Sequence, residues 1–165
     1  MAQVLLRGNP VQTSGELPAV GSVAPAFNLL NSSLGKVSLD SLKGKKVVVS
    51  IFPSIDTPTC ATSTRTFNKE AAAIDGVTVV TVSEDLPFAL GRFCAAEGIE
   101  NVHTLSAFRT SFGQDYGVEL ADGPLAGLTA RAVVVIDEAG KVIHNELVAN
   151  VSDEPNYAAA LAVLA

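Results

Sequence analysis

Hydrophobic residues along the chain fall into continuous apolar runs and into segments with helical spacing. The runs predict strands that are covered on both faces, because a strand with one solvated face alternates apolar and polar residues. Four such runs lie at 45–52, 77–82, 102–105 and Ala132–Ile136. Helical spacing or helix-starting residues predict helices at 59–74, Pro87–Glu97, 108–116 and 155–165. In the first helix, Phe67, Ala71 and Ile74 are predicted to form one buried stripe.

Shorter patterns add further strands. An N-terminal hairpin is predicted within residues 1–15, because short apolar segments flank the turn residues Arg7-Gly8-Asn9-Pro10. The other short strands are predicted at 26–30, 36–39 and 141–147. Strands that alternate with helices predict the α/β class, with a central mixed sheet between helical layers. A thioredoxin-like three-layer arrangement fits this order, as do other three-layer α/β folds, and without a linker residues 1–165 are interpreted as one domain.

Composition limits the class of function. The chain has 11 Lys and Arg against 17 Asp and Glu, and its formal charge of −6 argues against nucleic acid or an anionic membrane surface as a partner. It is 48% hydrophobic and 17% charged, which excludes a disordered chain, and its apolar runs are far shorter than the ~20 residues of a membrane helix. Without a signal leader at the N-terminus, the expected compartment is the cytoplasm, where the two cysteines start as thiols.

Cys60 lies where a polar loop meets a predicted helix, a position that favours reactivity. The free N–H groups and the positive dipole end of a helix N-terminus stabilise a thiolate. Pro53 and Pro58 stiffen the loop, and the hydroxyl of Thr57, three residues before Cys60, is within reach of the sulfur. Active sites of open α/β sheets gather at such strand-to-helix turns. The spacing alone leaves two interpretations open, a reactive thiol and a buried apolar residue.

Several polar residues have simple structural interpretations when they are considered alone. Cys94 lies on the apolar face of the second predicted helix, which indicates packing, and Arg131 is an ordinary charge at the start of a strand. His103 and His144 are interpreted as structural or surface residues. The chain has no Cys-x-x-Cys and no paired His, so a disulfide-exchanging thioredoxin and a zinc site are both disfavoured.

Two further motifs give little indication of a function. Asp56 and the Glu84-Asp85 pair suggest paired carboxylates, but solvated loop charge and helix capping explain them more simply. The glycine-rich segment at 123–127 lacks the Lys-Ser/Thr of a phosphate loop.

One segment carries a specific resemblance. Residues 52–61 read Phe-Pro-Ser-Ile-Asp-Thr-Pro-Thr-Cys-Ala, which resembles the Pro-x-x-x-Thr-x-x-Cys signature of peroxiredoxins and, within them, the bacterial thiol peroxidase branch. Further matching segments lie at 83–89, 92–94, 108–109, 112–113, 116–118, 123–128 and 130–132. The resemblance spans almost the whole chain and includes the N-terminal hairpin.

The resemblance implies a thioredoxin-like fold and a role for each of five residues. Cys60 would be the peroxidatic cysteine, whose thiolate attacks the peroxide and becomes a sulfenic acid. Thr57 would hydrogen-bond the peroxide, and Pro53 would shield the sulfenic acid from solvent. Arg131 would stabilise the thiolate and polarise the peroxide bond, because a guanidinium stays charged at any working pH. Cys94 would resolve the sulfenic acid and form an intramolecular Cys60–Cys94 disulfide.

The function that this resemblance implies is the reduction of hydrogen peroxide and organic hydroperoxides, without a metal, haem or flavin. A thioredoxin-type dithiol would re-reduce the disulfide, and the family implies a homodimer. Because both cysteines lie on predicted helices, their Cα atoms are expected to start more than ~7 Å apart, so local unfolding must bring the sulfurs together. Two alternatives remain open: a dithiol oxidoreductase that acts on protein disulfides, and a non-catalytic redox-sensing binding module switched by the same disulfide.

Overall fold

The computed structural model describes residues 1–164, and its largest feature is a seven-stranded mixed sheet. The strands are β1 (Gln3–Leu6), β2 (Asn9–Gln12), β3 (Asn28–Leu30), β4 (Lys36–Ser38), β5 (Lys46–Ile51), β6 (Val77–Ser83), β7 (Val102–Ser106), β8 (Ala132–Ile136) and β9 (Val142–Leu147). The helices are α1 (Pro58–Glu70), α2 (Pro87–Glu97), α3 (Phe112–Asp115) and α4 (Tyr157–Ala162). A short 3-10 helix, which the sequence patterns did not predict, covers Asp40–Leu42.

The order of strands in the sheet places the loops that follow β5 and β6 side by side. The order is β4-β3-β7-β6-β5-β8-β9. Strands β5, β6 and β7 run parallel at the centre, and every other neighbouring pair is antiparallel. Because β5 and β6 are parallel, their carboxyl ends lie at the same edge of the sheet. The predicted α/β class with a central mixed sheet is confirmed.

The sheet is buried on both faces, as its apolar runs predict. In β5, Val49 belongs to one core cluster with Phe112 of α3, whereas Val48 belongs to a second cluster with Phe67 of α1 and Ala160 of α4. Successive strand residues point to opposite faces, so both clusters draw on the same short run of sequence. Helices α1 and α4 therefore cover one face and α3 covers the other, which gives three layers.

The predicted N-terminal hairpin is present as a separate sheet of β1 and β2. Its Val4 and Val11 are buried against Val151, in the segment that follows β9. The N–H of Leu5 donates to the carbonyl of Ala149 at 2.8 Å, so main-chain contacts also hold the hairpin in place. The hairpin and the 149–152 segment thus lie together against the main sheet.

The first helix is shorter than predicted. It ends at Glu70, and Phe67 and Ala71 are buried as expected, but Ile74 is 36% exposed and does not extend their stripe. The N–H of Ile74 bonds to the carbonyl of Ala71, three residues back, which tightens the chain into a turn. This turn ends the helix at Glu70, although the apolar spacing in the sequence continues to Ile74.

Two other helices also differ from their predicted ranges. Helix α3 covers four residues rather than 108–116, because Arg109 adopts a left-handed backbone conformation (φ 57°) that no α-helix accommodates. Helix α4 begins at Tyr157 and ends at Ala162, inside the predicted 155–165, of which Ala165 lies outside the described residues.

Candidate active site

Cys60 is the third residue of α1 and is completely buried. The buried strand β5 ends at Ile51, and residues 52–57, the 52–57 loop, connect it to the helix. Pro58 occupies the first helical position, where its missing N–H removes no intrahelical bond and its fixed φ suits the helix. The side chains of Phe52, Ile55 and Leu90 form one cluster with Cys60. The cysteine is thus held by a rigid strand, a stiff loop and a helix N-terminus.

Two donors approach the sulfur of Cys60. The Thr57 hydroxyl lies 2.7 Å from Sγ and the Arg131 Nη2 atom lies 3.2 Å from it. The Thr57 oxygen is also 2.9 Å from the carbonyl oxygen of Ser54. Because a hydroxyl carries one proton, it donates to one of these two acceptors at a time. The arrangement offers a sulfur anion one neutral and one charged hydrogen bond.

Arg131 is only 3% exposed, although it carries a full positive charge. Its Nε–H donates to the carbonyl of Val151 at 2.9 Å, and its Nη1 atom is buried with no hydrogen-bond partner in the described part of the chain. No carboxylate among residues 1–164 forms an ion pair with it. A buried cation is costly unless it is paired. A negatively charged sulfur at Cys60 would place the missing negative charge 3.2 Å from this cation.

A cleft of about 600 Å³ opens beside this sulfur. Pro53, Thr57 and Arg131 line it, and Pro53 is itself buried. Leu6 of the N-terminal hairpin and Leu125 of the 123–127 segment form its apolar walls. Cys60 itself is buried, but Thr57 and Arg131, which line the cleft, lie within hydrogen-bond distance of its sulfur.

Cys94 lies apart from the residues that surround the Cys60 sulfur. Cys94 is half-buried on α2, and its Sγ lies 3.4 Å from the hydroxyl of Thr104 on β7. It lines a separate cavity of about 260 Å³ together with Ser32 and His103. Both cysteines are free thiols. Three of the five predicted site residues, Pro53, Thr57 and Arg131, therefore line one cleft beside Cys60, and Cys94 lines another.

Asp85 is a site residue that the sequence interpretation missed. It was expected to be solvated or to cap α2, but its carboxylate accepts hydrogen bonds from Ser54 Oγ (2.7 Å) and the Ile55 N–H (2.7 Å) of the 52–57 loop. It also accepts one from Ser83 Oγ at 2.6 Å, and α2 has no side-chain N-cap bond. Ser54 and Asp85 each follow a strand that the sequence predicts, but only the order of strands in the sheet shows that β5 and β6 are adjacent and parallel.

His103, His144 and Glu84, which the sequence analysis also considered, do not line the cleft. His103 is exposed and His144 is half-buried with an unpaired Nε2, which agrees with their interpretation as surface and structural residues. Glu84 is partly buried, not fully solvated as expected, and this burial, with a smaller effect of Glu119, raises its pKa to about 7.

Residues 1–164 include no helix that is both long enough and apolar enough to cross a membrane. In the same described part of the chain, no group of three or more His, Cys, Asp or Glu side chains is arranged to hold a metal ion.

Comparison with known proteins shows one consistent family. The Redoxin family profile matches residues 19–161. The chain is 62% identical over 164 residues to a thiol peroxidase of Mycobacterium tuberculosis and 56% identical to one of Corynebacterium glutamicum, with 99% of each chain covered in both cases. Its fold is similar to the crystal structure of a peroxiredoxin-like protein from Aquifex aeolicus, with a TM-score of 0.94 and 40% identity over 99% of this chain and 96% of that one.

Proposed function

The chain belongs to the Redoxin family as a thiol peroxidase of the peroxiredoxin type with a thioredoxin-like fold, and we propose that Cys60 is the residue that reduces the hydroperoxide. One observation carries this assignment: the Cys60 sulfur lies 2.7 Å from the Thr57 hydroxyl and 3.2 Å from a buried guanidinium. Neither contact is needed for a buried thiol that only fills space. Both stabilise the thiolate, which is the nucleophilic form of cysteine.

In the first step the Cys60 thiolate attacks one oxygen of the hydroperoxide. An S–O bond forms, the O–O bond breaks, and the sulfur loses two electrons to give a sulfenic acid. The other oxygen leaves as an alkoxide or hydroxide and takes up a proton to become the alcohol or water. The unpaired Nη1 group of Arg131 is a ready donor for this oxygen as its negative charge develops.

Thr57 and Pro53 complete the assignment at the cleft. Before the attack the Thr57 hydroxyl donates to the sulfur or to a peroxide oxygen, and once the sulfur is oxidised it can donate to the Ser54 carbonyl. Pro53 lines the cleft without an N–H and limits the access of water to the sulfenic acid. These two residues position the reactants, and Arg131 supplies the charge.

In the second step we assign Cys94 as the resolving residue. Its thiol attacks the sulfur of the Cys60 sulfenic acid, an S–S bond forms and water leaves. The Cys94 sulfur is engaged with Thr104 and faces a separate cavity, so the first turn of α1 and helix α2 must open locally before the sulfurs meet. A thioredoxin-type dithiol then reduces the disulfide by thiol–disulfide exchange in the cytoplasm.

An exposed apolar group supports a homodimer. Leu86, Phe88 and Phe108 are 49%, 65% and 44% exposed. They lie on the chain segments that follow β6 and β7, which the Ser106 hydroxyl joins by donating to the Asp85 carbonyl. A second copy of the chain would remove these side chains from water. Sedimentation over a range of protein concentrations tests this; a monomer at all concentrations contradicts it.

A single-turnover experiment tests the proposed function. The reduced protein receives one equivalent of hydroperoxide, and free thiols and intact mass are followed over seconds. We expect both thiols to disappear and a monomer-mass disulfide to form, whereas Cys94→Ser should stop at a sulfenic acid that a dione reagent traps. Cys60→Ser is the matched control and should leave Cys94 as a thiol.

The same measurement separates the alternatives. Thiols that survive for many minutes contradict a peroxidase and favour a redox-sensing binding module. Reduction of protein disulfides without any reaction with peroxide would instead indicate a dithiol oxidoreductase.

A further inference from the structure

One acidic side chain, that of Asp85, ties the 52–57 loop to the start of α2. Its carboxylate accepts hydrogen bonds from Ser54 Oγ (2.7 Å), the Ile55 N–H (2.7 Å) and Ser83 Oγ (2.6 Å). Two of these donors belong to the loop that positions the reacting cysteine. Asp85 itself lies two residues before α2 begins. The side chain therefore spans the two segments that carry the redox chemistry.

The main chain of Asp85 is held by hydrogen bonds as well. The Ser106 hydroxyl, at the end of β7, donates to the Asp85 carbonyl at 2.5 Å, and the Asp85 N–H bonds to Ser83 Oγ at 3.3 Å. A second link between the same segments is weak by comparison. Asp56 and Arg92 approach at 3.5 Å, but their side chains are 65% and 72% exposed, and water screens such pairs.

We propose that Asp85 is a positioning residue that makes the 52–57 loop and the start of α2 open together. This inference rests on the proposed function, because it assigns a role to the opening that brings Cys60 and Cys94 into contact. Bonds to a carboxylate are roughly twice as strong as neutral ones, so the loop is ordered while Asp85 is held in place. If the start of α2 unwinds, the carboxylate moves and the loop loses its acceptors.

The coupling gives Asp85 opposite effects on the two chemical steps. It favours the oxidation of Cys60, because the ordered loop holds Thr57 and Pro53 at the cleft. It opposes disulfide formation, because that step requires the same contacts to break. The structure thereby assigns to Asp85 the balance between reacting with peroxide and closing the disulfide.

Asp85→Asn tests this balance without changing the size of the side chain. An amide group presents N–H where one carboxylate oxygen accepts, so the negative charge is lost and a hydroxyl at that position, such as that of Ser54, must accept instead of donate. We expect the rate of Cys60 oxidation to fall about tenfold and the rate of disulfide formation to rise about tenfold, each equivalent to about 1.4 kcal/mol. Ser54→Ala removes a single donor and should change both rates in the same directions by a smaller factor.

The experiment uses two readouts on the full chain. Rapid quenching with an alkylating reagent, followed by mass spectrometry, gives the two rates separately, a method suited to a chain without tryptophan. Hydrogen exchange of the reduced protein, without any peroxide, gives the protection of peptides 52–60 and 86–97. Asp75→Asn is the matched control, because Asp75 is an exposed carboxylate in the turn after α1.

The expected result is faster exchange in both peptides of Asp85→Asn, a slower first step and a faster second step, with none of these changes in Asp75→Asn. Faster exchange in only one peptide, or a fall in both rates, overturns the coupling. If the wild-type thiols do not react with peroxide, the proposed function fails, and the exchange measurement still decides whether Asp85 joins the two segments.

Discussion

Replacement of Arg131 by methionine is the sharpest test of how the site activates Cys60. Methionine keeps most of the volume of the side chain but removes the charge and all its donors. The variant loses the Nη2 contact to sulfur at 3.2 Å and the Nε contact to the Val151 carbonyl at 2.9 Å. Arg131→Lys keeps the charge, but one ammonium group replaces the planar fork that reaches both partners.

The magnitude follows from these contacts. At 3.2 Å, two unit charges attract by about 5 kcal/mol with an effective dielectric constant of ~20, which is a ceiling because desolvation offsets it. Hydrogen bonds to charged groups are measured at about 1.5–3 kcal/mol. A loss of about 3 kcal/mol slows the attack on peroxide roughly 100-fold. We expect that loss for Arg131→Met and about tenfold for Arg131→Lys.

The assay is single-turnover oxidation in a Cys94→Ser background, with quenching and mass spectrometry at fixed pH. Arg65→Met is the control, because Arg65 lies on the same helix as Cys60 but pairs at the surface with Glu97 at 2.7 Å. Thermal unfolding of each variant verifies that it folds. An Arg131→Met rate within threefold of the parent, in a folded protein, would refute the electrostatic argument.

Two further predictions concern the hydroxyl beside the sulfur and the partly buried carboxyl of Glu84. Thr57→Val removes the donor 2.7 Å from the Cys60 sulfur and should lower the oxidation rate about tenfold, whereas Thr57→Ser should retain most of that rate. Equal rates for Thr57→Val and the parent protein in the same assay contradict this role. Burial raises the pKa of Glu84 from 4.5 to about 7, so the folded state binds this proton more tightly than the unfolded chain does. The contribution of Glu84 to stability is therefore complete below pH ~4.5 and is lost as the pH rises to about 7. Wild type should therefore lose stability relative to Glu84→Gln across that range, and parallel unfolding temperatures would contradict the shift.

Much of the fold is predictable because its signals are local. The run at Ala132–Ile136 and the helix at Pro87–Glu97 have the predicted bounds, since a continuous apolar run and a proline at the first helical position are each visible within a few residues. The predicted end of α1 and the predicted length of α3 were wrong. The turn from Ala71 to Ile74 and the left-handed backbone at Arg109 depend on contacts that apolar spacing does not encode.

The same distinction between local and long-range signals applies to the candidate site. The sequence by itself determined which cysteine stands at a helix N-terminus after a proline-stiffened loop, and Thr57 is close to Cys60 because three residues separate them. Only the tertiary structure decided that Arg131, 71 residues away, lies 3.2 Å from that sulfur and is buried with no carboxylate partner among residues 1–164. It also decided that Asp85 bonds the 52–57 loop. Both depend on the order in which β5, β6 and β8 join the sheet, which brings distant segments to one edge and which no local pattern specifies.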